Sequence, residues 1–197
     1  MNKGEASQEN IQDVAFKLFV GQGYHGTSMR QIAEAARLRP ASIYNHFKSK
    51  EEIFRQVLME HHPYREILPI LATAEGDDAE TLLRGVAERV YKVVRKKRGL
   101  LHVMFIEMVE FEGKHFAEIF RSMSPKIFKF LARLKSNKDQ MRKIPESNIM
   151  LTMMGLVLSQ WIIEAMFLKN IKLPFGDRHF ESALDIYLHG ILQDRKL

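Results

Sequence analysis

Apolar residues recur with a helical period along nearly all of this 197-residue chain. In the first segment they stand at i, i+3, i+4, i+7 and i+8, from Ile11 to Phe19, which is the spacing of one buried helical face. Gly21-Gln22-Gly23 should end this helix, because glycine readily adopts the left-handed conformation of a C-terminal cap. No segment alternates between apolar and polar residues for long, so we expect an all-α protein without a sheet.

Two capping boxes predict further helix starts in the N-terminal part. Ser28 with Gln31, and Ser49 with Glu52, have the Ser-x-x-Gln/Glu spacing in which each partner satisfies a free backbone N–H of the other. Between them, Pro40 suits the first position of another short helix. The pattern therefore predicts four helices here, of which the second and third are short and close together.

Longer helices are predicted after the polar break Glu75-Gly76-Asp77-Asp78. The apolar spacing places them at residues 79–97, 100–112, 115–134, 146–168 and 178–193. The polar residues 135–144 should form a loop. Residues 149–168 are long and apolar enough to span a bilayer, but Gln160 and Glu164 would be costly in hydrocarbon. We interpret this segment as a helix buried against other helices.

Charge and composition narrow the range of functions. The net charge is +6 and the pI about 9.5, a balance that favours polyanions or anionic membrane surfaces as partners. The chain has no cysteine, which excludes disulfides, thiolate metal sites and cysteine nucleophiles. The N-terminus is polar and lacks the apolar core of a signal peptide. We therefore expect a cytoplasmic protein.

The two short helices, joined by a tight turn and packed on an amphipathic first helix, predict a helix-turn-helix at about residues 28–47. In this motif the second short helix enters the major groove of DNA. No acidic residue lies between Glu34 and Glu51, whereas four cations do. They are Arg37, Arg39, Lys48 and Lys50. A segment that lies along a polyanion is expected to have this charge pattern.

Two stretches, GYHGTSMRQIA at 23–33 and IYNHFKSKEE at 43–52, closely resemble the DNA-binding domain of the TetR family of transcriptional regulators. The resemblance covers residues 5–65. It implies an N-terminal three-helix DNA-binding domain in that range. It further implies that residues 66–197 form a helical domain for effector binding and dimerisation.

The resemblance also implies roles for individual residues. Phosphate contacts are expected from Thr27, Ser28, Tyr44, His46 and Lys50. Base-facing positions are Arg30, Ala41, Ser42 and Asn45. Core positions are Ile32, Ala33, Ile43 and Phe47.

Two residues depart from the family pattern. Arg37 stands where the turn usually has glycine, and Arg39 replaces the usual serine or threonine cap. The lost cap costs about 0.5–2 kcal/mol, which Pro40 at the first helical position partly offsets. Either arginine could touch DNA or could be a solvated loop charge, and the surrounding motif favours DNA contact for at least one. Lys48 is expected to be exposed and to attract DNA at longer range.

For the larger C-terminal part the sequence gives less detail. Apolar and aromatic residues, with a few polar ones, favour a pocket for an apolar small molecule, although ordinary core packing explains any one of them equally well. The candidate pocket residues are Tyr91, His102, Met104, Phe105, Met108, Met123, Phe128, Met154, Gln160 and Trp161. The last two helices are expected to form a homodimer, which would place two recognition helices on a near-palindromic operator.

A helical-bundle metalloenzyme is the alternative from another class. Glu112-Gly113-Lys114-His115 contains the Glu-x-x-His unit of di-iron bundles, but such sites need a second copy, which the sequence lacks. We therefore expect no enzymatic activity, no metal and no cofactor. The sequence predicts a ligand-responsive repressor that an apolar molecule releases from DNA, with no membrane partner.

Overall fold

The structure, a computed structural model, describes residues 3–136, 141–168 and 178–191. Every regular element within these ranges is helical, which confirms the all-α prediction. In chain order the elements are α1 (Lys3–Gln22), α2 (Met29–Ala35), a 3-10 helix (Ser42–Asn45), α3 (Lys50–His61), α4 (Tyr64–Ala72), α5 (Ala79–Val94), α6 (Arg98–Phe111), α7 (Phe116–Lys135), α8 (Glu146–Ile162), a π-helical turn (Ile163–Leu168) and α9 (His179–Ile191).

The chain divides into two compact units by packing. The first comprises Met1–His62 with Lys97–Phe120, and the second comprises Pro63–Lys96 with Arg121–Leu197. The helix-turn-helix therefore packs together with α6 and the start of α7. The predicted functional boundary at residues 65 and 66 is a different division and stays a prediction.

The core of the first unit forms around the predicted apolar face of α1. Ile11, Ala15 and Phe19 are buried. The helix ends as predicted at Gly23, whose φ is +76° and whose N–H donates to the Phe19 carbonyl at 3.1 Å. Phe54 of α3 is fully buried and meets the Phe19 ring edge-on at 5.5 Å between centroids. These rings join α1 to α3, the helix that follows the recognition residues.

The second unit contains a helix that the sequence pattern did not predict. Helix α4 continues through Pro69, a residue that normally disfavours a helix interior. The polar break before α5 is a helix cap, because the Asp78 carboxylate accepts the Thr81 N–H at 2.8 Å. The predicted loop at 135–144 lies partly outside the described residues, and so do positions 192 and 193 of the last predicted helix.

Within the second unit, one stripe of helix α8 is buried among the described residues. Ile149, Met153, Val157 and Trp161, spaced by four residues, are buried. Residues Glu146–Phe167 are long and apolar enough to cross a membrane by length and composition alone, and 22% of an apolar 18-residue stretch within them is buried. Helix α8 thus packs on other helices along this stripe, as interpreted from the sequence, and a second apolar side is exposed among the described residues.

Candidate nucleic-acid interface

Helix α2 begins with the predicted capping box. The Gln31 N–H donates to the Ser28 hydroxyl at 3.2 Å, and the Ser28 N–H donates to the Gln31 side-chain carbonyl at 2.8 Å. Ile32 and Ala33 of this helix are fully buried. Ser28 itself is exposed. The exchange of hydrogen bonds fixes the first turn of the helix-turn-helix.

Helix α2 ends in a Schellman motif with Arg37 at the left-handed position. The Leu38 N–H donates to the Ala33 carbonyl at 2.8 Å, and the Arg37 N–H donates to the Glu34 carbonyl at 3.0 Å. Arg37 has a φ of 59°. Glycine most often occupies this position because it has no Cβ. Arg37, which stands where the TetR pattern usually has glycine, therefore occupies the position of this turn whose backbone conformation favours glycine.

The recognition segment, Ser42–Asn45, is a single turn of 3-10 helix. It begins two residues after Pro40, which lies in the preceding turn rather than at the first helical position. The Ser42 N–H donates to the Arg39 carbonyl at 2.8 Å, and Ala41 supplies no side-chain cap. Because no side chain caps this element, its first N–H group depends on a backbone acceptor.

Two apolar residues hold the recognition segment against the core. Ile43 is fully buried and Phe47 is 3% exposed, as predicted for core positions. Tyr44, by contrast, is 56% exposed. The remaining predicted contact residues near it are exposed or half-buried. The exposed ones are Arg37, Arg39, Ala41, Asn45 and Lys48, and the half-buried ones are Ser42 and His46.

Lys50 makes contacts that the sequence did not predict. Its Nζ donates to the carbonyls of Tyr24 and Thr27 at 2.7 and 2.8 Å, and it lies 4.0 Å from the centroid of the Tyr24 ring. Partial burial lowers the pKa of the Lys50 ammonium. Two of its three N–H groups thus tie the start of α3 to the loop before α2, and one is left for another acceptor.

The N-terminus of α3 is capped by side chains of its own first turn. The Ser49 hydroxyl accepts the Glu52 N–H at 3.1 Å, as predicted. The Glu52 carboxylate, however, accepts the N–H of Lys48 at 2.7 Å rather than that of Ser49. Only half of the predicted capping box therefore forms.

Thr27 and Arg30 are also engaged within the protein. Thr27 is 1% exposed, and its hydroxyl donates to the Gly23 carbonyl at 2.8 Å. The Arg30 Nε donates to the Glu34 carboxylate at 2.8 Å, a bond that raises the pKa of the exposed guanidinium. Thr27 thus supports the loop from inside. Arg30 remains on the surface, where its pairing with Glu34 is weak and exchangeable.

Residues of the α6–α7 corner pack against this motif. The sequence analysis did not predict these contacts. Phe111 stacks on Phe54 at 4.9 Å between centroids. Glu107 is fully buried and accepts the N–H of His115 at 2.6 Å, and its other oxygen lies 2.8 Å from His115 Nδ1. Glu51 of α3 binds the Lys114 ammonium at 2.6 Å, which lowers the pKa of its carboxyl. The α6–α7 corner thus reaches the first turn of α3.

These contacts also remove the geometry that a di-iron site would need. His115 is committed to Glu107, and Glu112 lies in an exposed left-handed turn with a φ of 53°. No group of three potential His, Asp or Glu ligands converges among the described residues. The histidine of the Glu-x-x-His spacing therefore contacts Glu107 at the α6–α7 corner in this fold.

The predicted pocket residues are divided between the two units. Four belong to the first unit: His102, Met104, Phe105 and Met108. The other six belong to the second: Tyr91, Met123, Phe128, Met154, Gln160 and Trp161. Of these six, Tyr91 and Trp161 are buried, whereas Phe128 and Met154 are more than half exposed.

Tyr91 stands at the centre of a polar cluster in the second unit. Its hydroxyl donates to the Glu164 carboxylate at 2.6 Å and lies 3.1 Å from His179 Nε2. Arg95 donates to the other Glu164 oxygen at 2.7 Å through a terminal nitrogen. Burial and the neighbouring carboxylate raise the pKa of Tyr91. The ring stacks on Phe180 at 3.9 Å, so the cluster joins α5, the π-helical turn and α9.

Replacing Lys50 by methionine should destabilise the first unit. The change preserves most of the packing but removes two charge-assisted hydrogen bonds to loop carbonyls. We expect the free energy of unfolding to fall by about 1–3 kcal/mol, measured by urea denaturation. Lys48→Met is the matched control, since that side chain is exposed, and should shift stability by less than about 0.5 kcal/mol. Equal small effects of both changes would contradict the bracing role of Lys50.

Comparisons with known proteins agree with this architecture. Residues 11–57 match the family described as "Bacterial regulatory proteins, tetR family". The biofilm operon negative transcriptional regulator IcaR of Staphylococcus aureus is 26% identical over 191 residues, covering 92% of this chain and 98% of that protein. The uncharacterized HTH-type transcriptional regulator YvkB of Bacillus subtilis is 28% identical over 127 residues, covering 64% and 66%.

Solved structures share the fold. NalD of Pseudomonas aeruginosa, described as the secondary repressor of the MexAB-OprM multidrug efflux pump, superposes with a TM-score of 0.70 at 18% identity, covering 98% of this chain and all of that one. A tetR family regulator from Shewanella superposes with a TM-score of 0.69 at 14% identity, covering 95% and 99%. The helix-turn-helix geometry, the family match and these relatives agree: residues 11–57 form a DNA-binding domain of the TetR family, and the chain as a whole is similar to TetR-family transcriptional regulators.

Proposed function

We propose that the protein is a ligand-responsive repressor that binds a near-palindromic operator as a homodimer and is released by an apolar small molecule. The observation that carries the DNA-binding part is the exposed recognition segment, which is anchored by Ile43 and Phe47 and flanked by cations. Two relatives of this fold, IcaR and NalD, are named as a negative regulator and a repressor. We infer that the protein works in the cytoplasm, where the chromosome is.

The DNA contacts that we propose fall into two groups. Side chains at the exposed surface of the recognition segment face bases, and the flanking polar and cationic residues bind phosphates. The base-facing set is Ala41, Ser42, Asn45 and Arg30. The phosphate set is Ser28, Arg39, Tyr44, His46 and Lys48. Thr27 and Lys50 contribute mainly to structure, because their side chains hydrogen-bond to backbone carbonyls of the loop before α2.

The homodimer is proposed to form through α8 and α9. On α8, the side opposite the buried stripe carries an exposed or half-buried apolar stripe of Leu151, Gly155, Leu158 and Ile162. On α9, Ile186 is 76% exposed. A Cβ added at Gly155 or at Gly190 would meet nothing within 4 Å in the protomer. Small residues on exposed helix sides allow close approach of a partner helix, and an apolar exposed face of this kind is typical of an interface.

An apolar effector is supported by the second unit. Trp161 is 3% exposed, yet its Nε1 has no hydrogen-bond acceptor among the described residues. A buried donor without an acceptor costs about 1–3 kcal/mol, so a bound molecule that supplies an acceptor would stabilise this position. We therefore infer that the effector is largely apolar and carries at least one hydrogen-bond acceptor.

Substituting the base-facing residues should change the preferred operator. Asn45→Ala or Ser42→Ala removes hydrogen-bonding groups from the recognition segment, and each good base contact is worth about 1–3 kcal/mol of discrimination. Selection from random DNA should then return a site relaxed at one position in each half. Lys92→Ala, an exposed change on α5, serves as the control. Identical sites for all variants would contradict base reading by Ser42 and Asn45 and would leave Arg30 as the base-reading side chain.

A charge placed on α9 should separate the protomers. Ile186→Glu would bury a carboxylate in the proposed interface, which is costly without a partner, and should weaken dimerisation more than about ten-fold by sedimentation equilibrium. Val109→Glu is the matched control, because Val109 on α6 is 75% exposed and apolar. If both variants dimerise like the wild type, another surface forms the dimer.

The effector is best found by thermal stabilisation across a library of apolar compounds with acceptor groups. A ligand at 100 times its Kd adds about 2.7 kcal/mol to the free energy of unfolding. A true effector should also weaken operator binding. Trp161→Phe should reduce its affinity roughly two- to ten-fold, because one hydrogen bond is lost. A tightly bound compound that leaves operator affinity unchanged would refute the release mechanism.

A further inference from the structure

Arg37 combines an unfavourable backbone with an exposed cation. Only two non-glycine residues in the described ranges have a positive φ, and Arg37 is the one that belongs to the helix-turn-helix. A left-handed backbone costs an L-residue with a Cβ a factor of roughly five to thirty in the folding equilibrium. The Schellman hydrogen bonds to Ala33 and Glu34 carbonyls hold the residue there. Glycine would fit the same turn without that cost.

Among the described residues, no polar contact of the Arg37 side chain offsets this cost. The side chain is exposed, and no hydrogen bond or ion pair joins its guanidinium to another residue in the described part of the chain. Arg30, one helix earlier, differs because it pairs with Glu34. A cation at the end of α2 is stabilised by the helix dipole by a factor of roughly two to five. The largest value of this gain only reaches the smallest value of the backbone cost.

The position of Arg37 suits a ligand outside the protein. The turn leads into the recognition segment, and the acid-free stretch from 35 to 50 leaves no carboxylate in sequence to bind the guanidinium. Two backbone hydrogen bonds fix the turn, so the Cα and Cβ atoms of Arg37 are fixed as well. The planar guanidinium can donate two parallel hydrogen bonds to a phosphate and loses less conformational freedom for each hydrogen bond than a lysine ammonium does.

We propose that Arg37 binds a DNA phosphate beside the recognition segment, so that the fold gives up stability at this turn in exchange for operator affinity. This inference rests on the proposed operator binding. It assigns Arg37 to the backbone of the DNA rather than to the bases. The arginine therefore strengthens binding to all sequences about equally.

The test measures folding and DNA binding on the same variants. Arg37→Gly and Arg37→Asn both tolerate a left-handed backbone and remove the charge, whereas Arg37→Lys keeps the charge and the strain. The first two should raise the folding equilibrium constant several-fold by urea denaturation, roughly within the cost given above. They should also weaken DNA binding and reduce the slope of log K against log salt by about one. Arg37→Lys should leave both stability and slope near those of the wild type.

Two controls separate strain from charge. Arg39→Gly removes an exposed cation at a position whose φ is not positive, so it should not stabilise the fold. Lys129→Ala removes an exposed cation from α7, so it should leave the salt slope unchanged. An unchanged salt slope in Arg37→Gly and Arg37→Asn would overturn the phosphate contact, and unchanged stability would overturn the strain. Failure of the wild type to select any DNA site would instead refute the proposed function.

Discussion

The ammonium of Lys50 makes the interaction on which the geometry of the helix-turn-helix depends. It joins the first residue of α3 to the Tyr24 and Thr27 carbonyls, which belong to the loop before α2. The recognition segment lies between these two points in sequence. It has one turn of 3-10 helix and no side-chain cap, so it has little stability of its own. Its position is therefore set by the braced loop, by α3 and by the burial of Ile43 and Phe47.

Further contacts connect the loop before α2, and α3 itself, to the α6–α7 corner. Tyr24 contacts the Phe111 ring at 5.1 Å, and the neighbouring His25 meets Glu110 at 2.5 Å. Glu51, next to Lys50, binds Lys114, and Arg55 donates two hydrogen bonds to Glu118. The partly exposed ion pairs add little stability individually. The buried Glu107–His115 contact and the aromatic rings carry more, because they are shielded from water. Any movement of α6 within the first unit therefore bears on the same residues that hold the recognition segment.

Local signals predicted the parts of the fold that depend on neighbouring residues. The end of α1 at Gly23 and the capping box of Ser28 followed from short-range chemistry. Helix α4 escaped prediction because Pro69 is a helix breaker in most contexts. The sequence did not predict the roles of Lys50 and His115, because the partners of Lys50 lie 23 and 26 residues away and the turn that brings His115 back onto Glu107 of α6 follows only from the folded corner. A spacing such as Glu-x-x-His cannot tell a metal ligand from a corner contact, since only packing shows which carboxylate the histidine meets.

The central claim is that the exposed side of Ser42–Asn45, presented twice by a dimer, reads DNA. Selection of bound sequences from a random duplex pool by the full-length protein tests it most directly. The account predicts an inverted repeat whose half-sites are separated by about one helical turn, 10–10.5 base pairs, or a multiple of it. Its affinity should fall steeply as salt rises. Enrichment of no sequence, or of a lone half-site without symmetry, would contradict the account.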